Sequence, residues 1–101
     1  MTRIALLAFA AAALALPAAA SSPDAWAEYE AKVTKACETA SGFKNPKPHT
    51  KLMTFDDSVG MDAIVIEGEH PQEHMKGEHG MMLCLYNKAT ETAVTTEMAH
   101  N

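Results

Sequence analysis

Arginine is nearly absent from this chain, which contains only Arg3. From residue 21 to the end, seven lysines face thirteen acidic residues, so this part has a formal charge of 7 − 13 = −6. Such a surface repels phosphate backbones and anionic lipid, and it lacks the guanidinium group that holds a phosphate at two points. The composition therefore argues against a nucleic-acid-binding protein.

The motifs of common catalytic sites are missing as well. The sequence has neither a G-x-S-x-G motif nor a glycine-rich phosphate loop. Asp56 and Asp57 are adjacent carboxylates, but neighbours in a turn point apart and usually form the turn itself. We therefore expect a protein without catalytic activity.

An apolar run long enough to span a bilayer is also lacking. Residues 4–16 are apolar, but this run is too short for a membrane-spanning helix. It follows the positive charge of Arg3 and precedes three alanines that end at Ala20, which is typical of a secretory signal peptide. We predict a signal peptide over residues 1–20, cleaved near Ala20, and one small domain over 21–101. No cysteine follows that could carry a lipid, so we expect no membrane anchor after cleavage.

Cysteine is scarce, with Cys37 and Cys84 only. In an exported protein an even number of cysteines indicates a disulfide, and two cysteines allow a single pairing. A domain of this size buries only about 60% of its unfolded surface, so a covalent restraint helps. The spacing of 47 residues suggests about 4 kcal/mol of stabilisation in the chain-entropy model. The bond would also leave no free thiol as a nucleophile.

One amphipathic helix is predicted directly after the signal peptide. Ser22 can cap it, Pro23 suits its first turn, and Gly42 can end it in the left-handed conformation. Steps of three and four residues place the apolar side chains on one face. We expect this face, including the only tryptophan, to lie in the core; it comprises Trp26, Tyr29, Val33, Ala36, Cys37 and Ala40.

The pattern after the helix changes to strands. Residues 45–48 contain two prolines and are predicted to be a linker, and residues 56–60 a turn. Apolar and β-branched residues predict strands at residues 52–55, 63–66, 81–86 and 92–98. Short connections imply antiparallel neighbours. The predicted fold is therefore α+β, with one N-terminal helix packed on a three- or four-stranded antiparallel sheet and tied to it by the disulfide.

The segment 69–82 contains three of the five histidines and three methionines. Imidazole and thioether groups suit copper, and the glutamates of the segment would equally suit zinc. The candidate metal ligands are His70, His74, Met75 and His79. The same composition also fits an ordinary polar loop, because proline and glycine are turn formers and the ligand spacing matches no specific metal motif. Met81 and Met82 are adjacent, so at least one of them is expected in the core.

Four segments of the chain, residues 37–42, 55–60, 70–75 and 83–86, resemble small exported single-disulfide proteins of Gram-negative bacteria. This resemblance implies a periplasmic location and supplies no activity. Two hypotheses follow for the function. The first is a non-catalytic interaction module that presents a sheet face or the loop 69–80 to a periplasmic protein or small ligand. The second is a copper- or zinc-binding protein that uses the four candidate ligands.

Overall fold

The structure, a computed structural model, describes residues 22–99. The predicted signal peptide, residues 1–20, lies outside this range. The elements are a helix α1 at Pro23–Ser41 and four strands, β1 at Lys44–Pro48, β2 at Met61–Glu69, β3 at His79–Asn87 and β4 at Thr92–Glu97. The sheet order is β1-β2-β3-β4 and every pair is antiparallel, so the predicted α+β fold is confirmed with four strands.

The ends of α1 follow from local chemistry, as the sequence predicts. The Ser22 side chain accepts a hydrogen bond from the backbone N of Ala25 (3.1 Å), which satisfies a helix donor that has no partner within the helix. Gly42 ends the helix with φ 70°, a conformation that costs glycine little because it has no Cβ. The helix therefore has the predicted boundaries.

The core lies between α1 and one face of the sheet. Val33 and Cys37 of the helix are fully buried, and they pack with alternate residues of the central strands, namely Ile64, Ile66, Cys84 and Tyr86. The Cys37–Cys84 disulfide crosses this core, with the two Cα atoms 5.8 Å apart. The predicted bond is confirmed, and it fastens the middle of β3 to α1.

The two ends of the helix face depart from the prediction. Trp26 is 48% exposed and Ala40 is exposed too, so the expected place of both in the core is wrong. The Trp26 ring packs instead on the ring of Tyr29, with 5.6 Å between the ring centroids. Tyr29 lies about one helical turn further along α1. A helical period aligns side chains on one face, but burial also requires a sheet beneath that face.

The linker predicted at residues 45–48 is also wrong, because this segment forms β1. The strand lies at the edge of the sheet, where a proline has no second neighbour that needs its missing N–H. Its register with β2 shifts between Lys44 and Lys47, and Asn45 has φ 52°. The strand predicted at residues 52–55 is reduced to a single bridge between Met53 and Ala63.

Candidate functional site

The face of the sheet that points away from α1 is a candidate surface in the described part of the chain. Within residues 22–99, α1 is the only helix long enough to cover a sheet, and it packs on the other face. Side chains of neighbouring strands that lie opposite each other point to the same face. We call this surface the open face. Its apolar members are Met53, Met61, Ala63, Val65, Met81, Leu83, Leu85 and Val94, and its polar members are Glu67, Glu69, His79, Asn87, Thr92 and Thr96.

An apolar row crosses the open face from one side to the other. Ala63 lies opposite Met53 on one side and Leu85 on the other, and Leu85 lies opposite Val94. The ends of the row are the most exposed, with Met53 at 39% and Val94 at 57%. A second apolar pair, Val65 and Leu83, lies beside this row. Ala63 and Val65 in the middle are only 5% and 6% exposed, so the exposed apolar surface lies mainly at the two ends of the row. An antiparallel sheet usually presents polar side chains on its solvent side.

The sequence produces this surface through runs that do not alternate. Residues 63–66 of β2 and 81–86 of β3 are apolar at every position, so both faces of these strands are apolar. Runs of this kind are typical of strands that are covered on both sides. In residues 22–99 a helix covers one side only. On the other side Ala63 and Val65 are buried among their neighbours, and Leu83 and Leu85 remain partly exposed.

A charged group occupies one end of the open face. His79 Nε2 donates a hydrogen bond to Glu67 Oε1 (2.8 Å), and His49 Nδ1 lies 3.5 Å from Glu67 Oε2. Lys47 and Glu69 lie beside this group, around a cavity of about 280 Å³ that Glu67 and His79 also line. The hydrogen bond from His79 lowers the pKa of Glu67, and His49 and Lys47 act in the same direction. The charges are thus concentrated at one end, away from the apolar row.

Replacing Glu67 by glutamine should destabilise the protein more at pH 7 than at pH 3. A carboxylate whose pKa is lowered by folding contributes stability above its unfolded pKa, about 4.3, and loses it as the pH falls through the folded value. Urea unfolding of wild type and Glu67→Gln at pH 7 and pH 3 measures this directly. Glu73→Gln is the matched control, because no ion pair of Glu73 exists within residues 22–99. An equal loss at both pH values would contradict the prediction.

The predicted metal ligands are placed on different sides of the sheet. His70 lies on the helix side, where its ring packs edge-on against Phe43 with 5.2 Å between centroids. His79 lies on the open face with Glu67, while His74 is exposed and Met75 part-buried in a 3-10 turn at Glu73–Met75. Among the described residues, no group of three His, Cys, Asp or Glu side chains is arranged to hold a metal ion.

Two glycines explain why His70 takes this place. Gly68 and Gly80 lie opposite each other in β2 and β3, on the side of α1. A Cβ at Gly68 would lie 2.5 Å from Phe43 Cβ, and one at Gly80 would lie 2.5 Å from His70 Nε2. Because the two glycines have no side chains, Phe43 packs directly on the backbone at Gly68 and His70 on that at Gly80. This contact holds His70 against the sheet and away from His79.

The buried Asp62 was missed by the sequence analysis. It is 2% exposed, and its carboxylate accepts hydrogen bonds from the Tyr29 hydroxyl (2.7 Å) and the backbone N of Phe55 (3.3 Å). Burial, together with this hydrogen bond, raises the pKa of Tyr29 above its usual range. Asp62 thus joins α1 and the loop before β2, which is a structural role. An acidic residue directly before the apolar run 63–66 was the available signal.

Another opening on the surface is a groove of about 660 Å³ between α1 and residues 48–52. Thr34 and Lys35 of the helix line one side of it, and Pro48 and Leu52 line the other. The groove lies on the helix side of the sheet and is open to solvent. Its polar groups do not converge on a common point, so it offers no evident chemistry.

The methionines of the loop and β3 are divided between the two faces. Met82 packs against the core, whereas Met81 lies opposite Glu67 on the open face, so the prediction that at least one is in the core is confirmed.

The shared face of Glu67 and His79 could have been found from the alternation of side chains along a strand. The predicted strands ended at residue 66 and began at residue 81. Extending each by two residues includes Glu67 and His79, which then lie on the same face as Val65 and Met81.

Comparison with known proteins supplies no relative from which a function could be transferred. No protein-family model, curated protein or solved structure matches this chain. None of the helices in residues 22–99 is long and apolar enough to cross a membrane. The open face, with its apolar row and its charged end, is therefore the feature on which a functional conclusion must rest.

Proposed function

We propose that the protein is an exported, non-catalytic interaction module whose binding surface is the open face. The observation that carries this proposal is the row Met53, Ala63, Leu85 and Val94, which contains no polar residue and is exposed at both ends. Contiguous apolar patches on small proteins mark sites of interaction. A disulfide between two buried cysteines suits an oxidising compartment.

The periplasm is the compartment that we propose for this function. The signal-peptide pattern of residues 1–20 and the resemblance to exported single-disulfide proteins both support this location. The disulfide is consistent with it, because cytosolic thiols are normally kept reduced. Intact mass of the protein recovered from the periplasmic fraction should match a chain that begins at Ser21, within a few residues.

A photoreactive amino acid placed at residue 94 tests the binding surface in the living cell. Val94 is 57% exposed on the open face, and Val59, in the turn before β2, is 55% exposed. The two positions therefore match in residue type and exposure but differ in surface. We expect covalent adducts from position 94 and few from position 59.

A variant with a charged residue in the middle of the apolar row extends the crosslinking experiment. Leu85 lies directly opposite Val94, so Leu85→Lys should remove the adducts if binding uses the open face. The variant must still be folded, which circular dichroism checks. Equal labelling from positions 59 and 94, or adducts unaffected by a folded Leu85→Lys, would contradict the proposed surface.

The metal-binding hypothesis is the alternative, and it has less support from the geometry. His70 and His79 lie on opposite faces of the sheet, so binding by the four candidate ligands requires the loop to rearrange. Elemental analysis of the protein from its native compartment separates the two functions. Stoichiometric copper or zinc that is lost when His70, His74 and His79 are replaced by alanine would favour the alternative.

A further inference from the structure

We propose that the charged end of the open face is a Cu(I) site whose ligands are Met81 Sγ, Met98 Sγ and His79 Nδ1. The site is separate from the apolar row, because none of these residues belongs to that row. Two of its three ligands are methionines. It therefore differs from a group made only of His, Cys, Asp and Glu side chains, of which the described residues contain none that could hold a metal ion.

The register of β3 and β4 brings the two methionines together. The last pair of the ladder is Met82 with Glu97. One residue further, the backbone N of Met98 donates a hydrogen bond to the carbonyl oxygen of Met81 (3.0 Å), so Met98 continues the ladder. Residues directly opposite each other have Cβ atoms about 4.5–5.5 Å apart and share a face of the sheet. Methionine has three rotatable bonds, which lets two such neighbours direct their sulfur atoms to one ion.

His79 joins this pair from the same strand. It lies two residues before Met81 in β3, and residues with this spacing point to the same face about 7 Å apart. Its Nε2 donates a hydrogen bond to Glu67 Oε1 (2.8 Å). The neutral imidazole then has its lone pair on Nδ1, which is the atom that a metal ion binds. Metal-binding histidines almost always donate their other ring N–H in this way, which fixes the orientation of the ring.

Glu67 is a positioning residue that is itself held from the side of β1. It lies opposite Met81 in β2 and pairs with Lys47 of β1. His49 Nδ1 lies 3.5 Å from its second carboxylate oxygen, Oε2, and the Glu67 side chain is only 20% exposed. These contacts restrict the carboxylate that orients His79. Its negative charge, one residue away from the proposed ligands, also favours a cation there.

The chemistry of the ligands selects Cu(I) among the common metal ions. Soft thioether groups and imidazole suit Cu(I), whereas harder divalent ions prefer oxygen ligands. Cys37 and Cys84 are joined in the disulfide, so methionine is the source of soft sulfur ligands in the described residues. Met98 is 38% exposed and the His79 side chain 51%, so an ion can enter from solvent without opening the fold.

Titration of the purified exported protein with Cu(I) under anaerobic conditions, with the disulfide intact, tests the site by NMR. The methyl signals of Met81 and Met98 and the imidazole signals of His79 should shift together and saturate at one ion per chain. Met53 and Met61 lie on the open face away from the charged end and are internal controls whose signals should not shift. Equal shifts of all four methionines, or the absence of saturable shifts, would overturn the site.

Leucine variants remove the sulfur atoms and nearly conserve the volume of the side chains. The Kd for Cu(I), measured by competition with a chromophoric Cu(I) chelator, should rise at least about 10-fold in Met81→Leu and in Met98→Leu, since even outer groups of a metal site are worth that much. Met53→Leu is the matched control and should keep the wild-type Kd. Thermal unfolding without metal shows whether each variant is folded. Wild-type affinity in folded Met81→Leu and Met98→Leu would overturn the ligand assignment.

A further pair of variants distinguishes this site from one formed by the loop 69–80. The two sites share His79, so His79→Ala should weaken Cu(I) binding in either case. The double variant His74→Ala, Met75→Leu changes only the loop, and we expect it to bind Cu(I) as wild type does. Loss of binding in this variant would overturn the sheet site, and so would Zn(II) binding as tight as that of Cu(I). Because these variants leave Leu85 and Val94 intact, the interaction surface is tested independently.

Discussion

Removal of the disulfide is expected to lower the free energy of unfolding by about 2–5 kcal/mol, which is typical for small secreted domains. Cys37 and Cys84 are both fully buried, and their bond closes a loop that contains β1 and β2. Most of the effect comes from the larger conformational freedom of the unfolded chain without the bond. Because a domain this small has a marginal core, such a loss removes much of its stability.

The double variant Cys37→Ala, Cys84→Ala measures this effect without leaving a single reactive thiol. Urea unfolding of wild type and double variant, each with and without a reductant, separates the bond from the packing of the sulfur atoms. Reductant should bring wild type close to the double variant and leave the double variant unchanged. If reductant alters neither protein, the disulfide does not provide the stability assigned to it.

The elements that local chemistry determines could be predicted from the sequence. The cap at Ser22 and the left-handed conformation of Gly42 determine where α1 begins and ends, and both act through residues close to them in the sequence. The paired cysteines and the apolar run at 63–66 likewise predicted the crosslink and the central strand. Each of these signals depends on residues close in sequence or on a pairing with a single solution.

The features that depend on tertiary position could not be predicted in the same way. β1 contains two prolines, and whether proline excludes a strand depends on whether that strand is at an edge. Trp26 fits the helical period, but its exposure depends on how far the sheet extends beneath α1. The period of a pattern states which residues share a face, and the neighbouring element decides whether that face is buried.

The candidate site illustrates both situations. The unbroken apolar runs in β2 and β3 contain the signal for the open face, since such strands need a cover on two sides and the chain offers one helix. The metal prediction depended on a flexible loop that could gather its histidines. The structure instead anchors His70 on Phe43 and Gly80, through contacts between residues that are distant in sequence.

Gly68→Ala is expected to destabilise the protein by about 1–3 kcal/mol, the usual cost of forcing an extra group into a packed core. The new Cβ would lie 2.5 Å from Phe43 Cβ, which is attached directly to the backbone and cannot rotate away. Phe43 is 7% exposed and belongs to the core, so the segment between α1 and β1 would have to shift.

Gly80→Ala is the matched control for this prediction, because Gly80 lies directly opposite Gly68 and its added Cβ would make an equally short contact. That contact is with His70 Nε2, at the far end of a side chain that is part-buried and can turn outward. The free energy of unfolding, measured by urea titration, should therefore fall clearly more for Gly68→Ala than for Gly80→Ala. In Gly80→Ala, the imidazole signals of His70 in an NMR spectrum should also lose the ring-current shift from Phe43. Equal destabilisation by the two substitutions would mean that His70 is held as rigidly as the backbone, and the loop would then lack the freedom that the metal hypothesis requires.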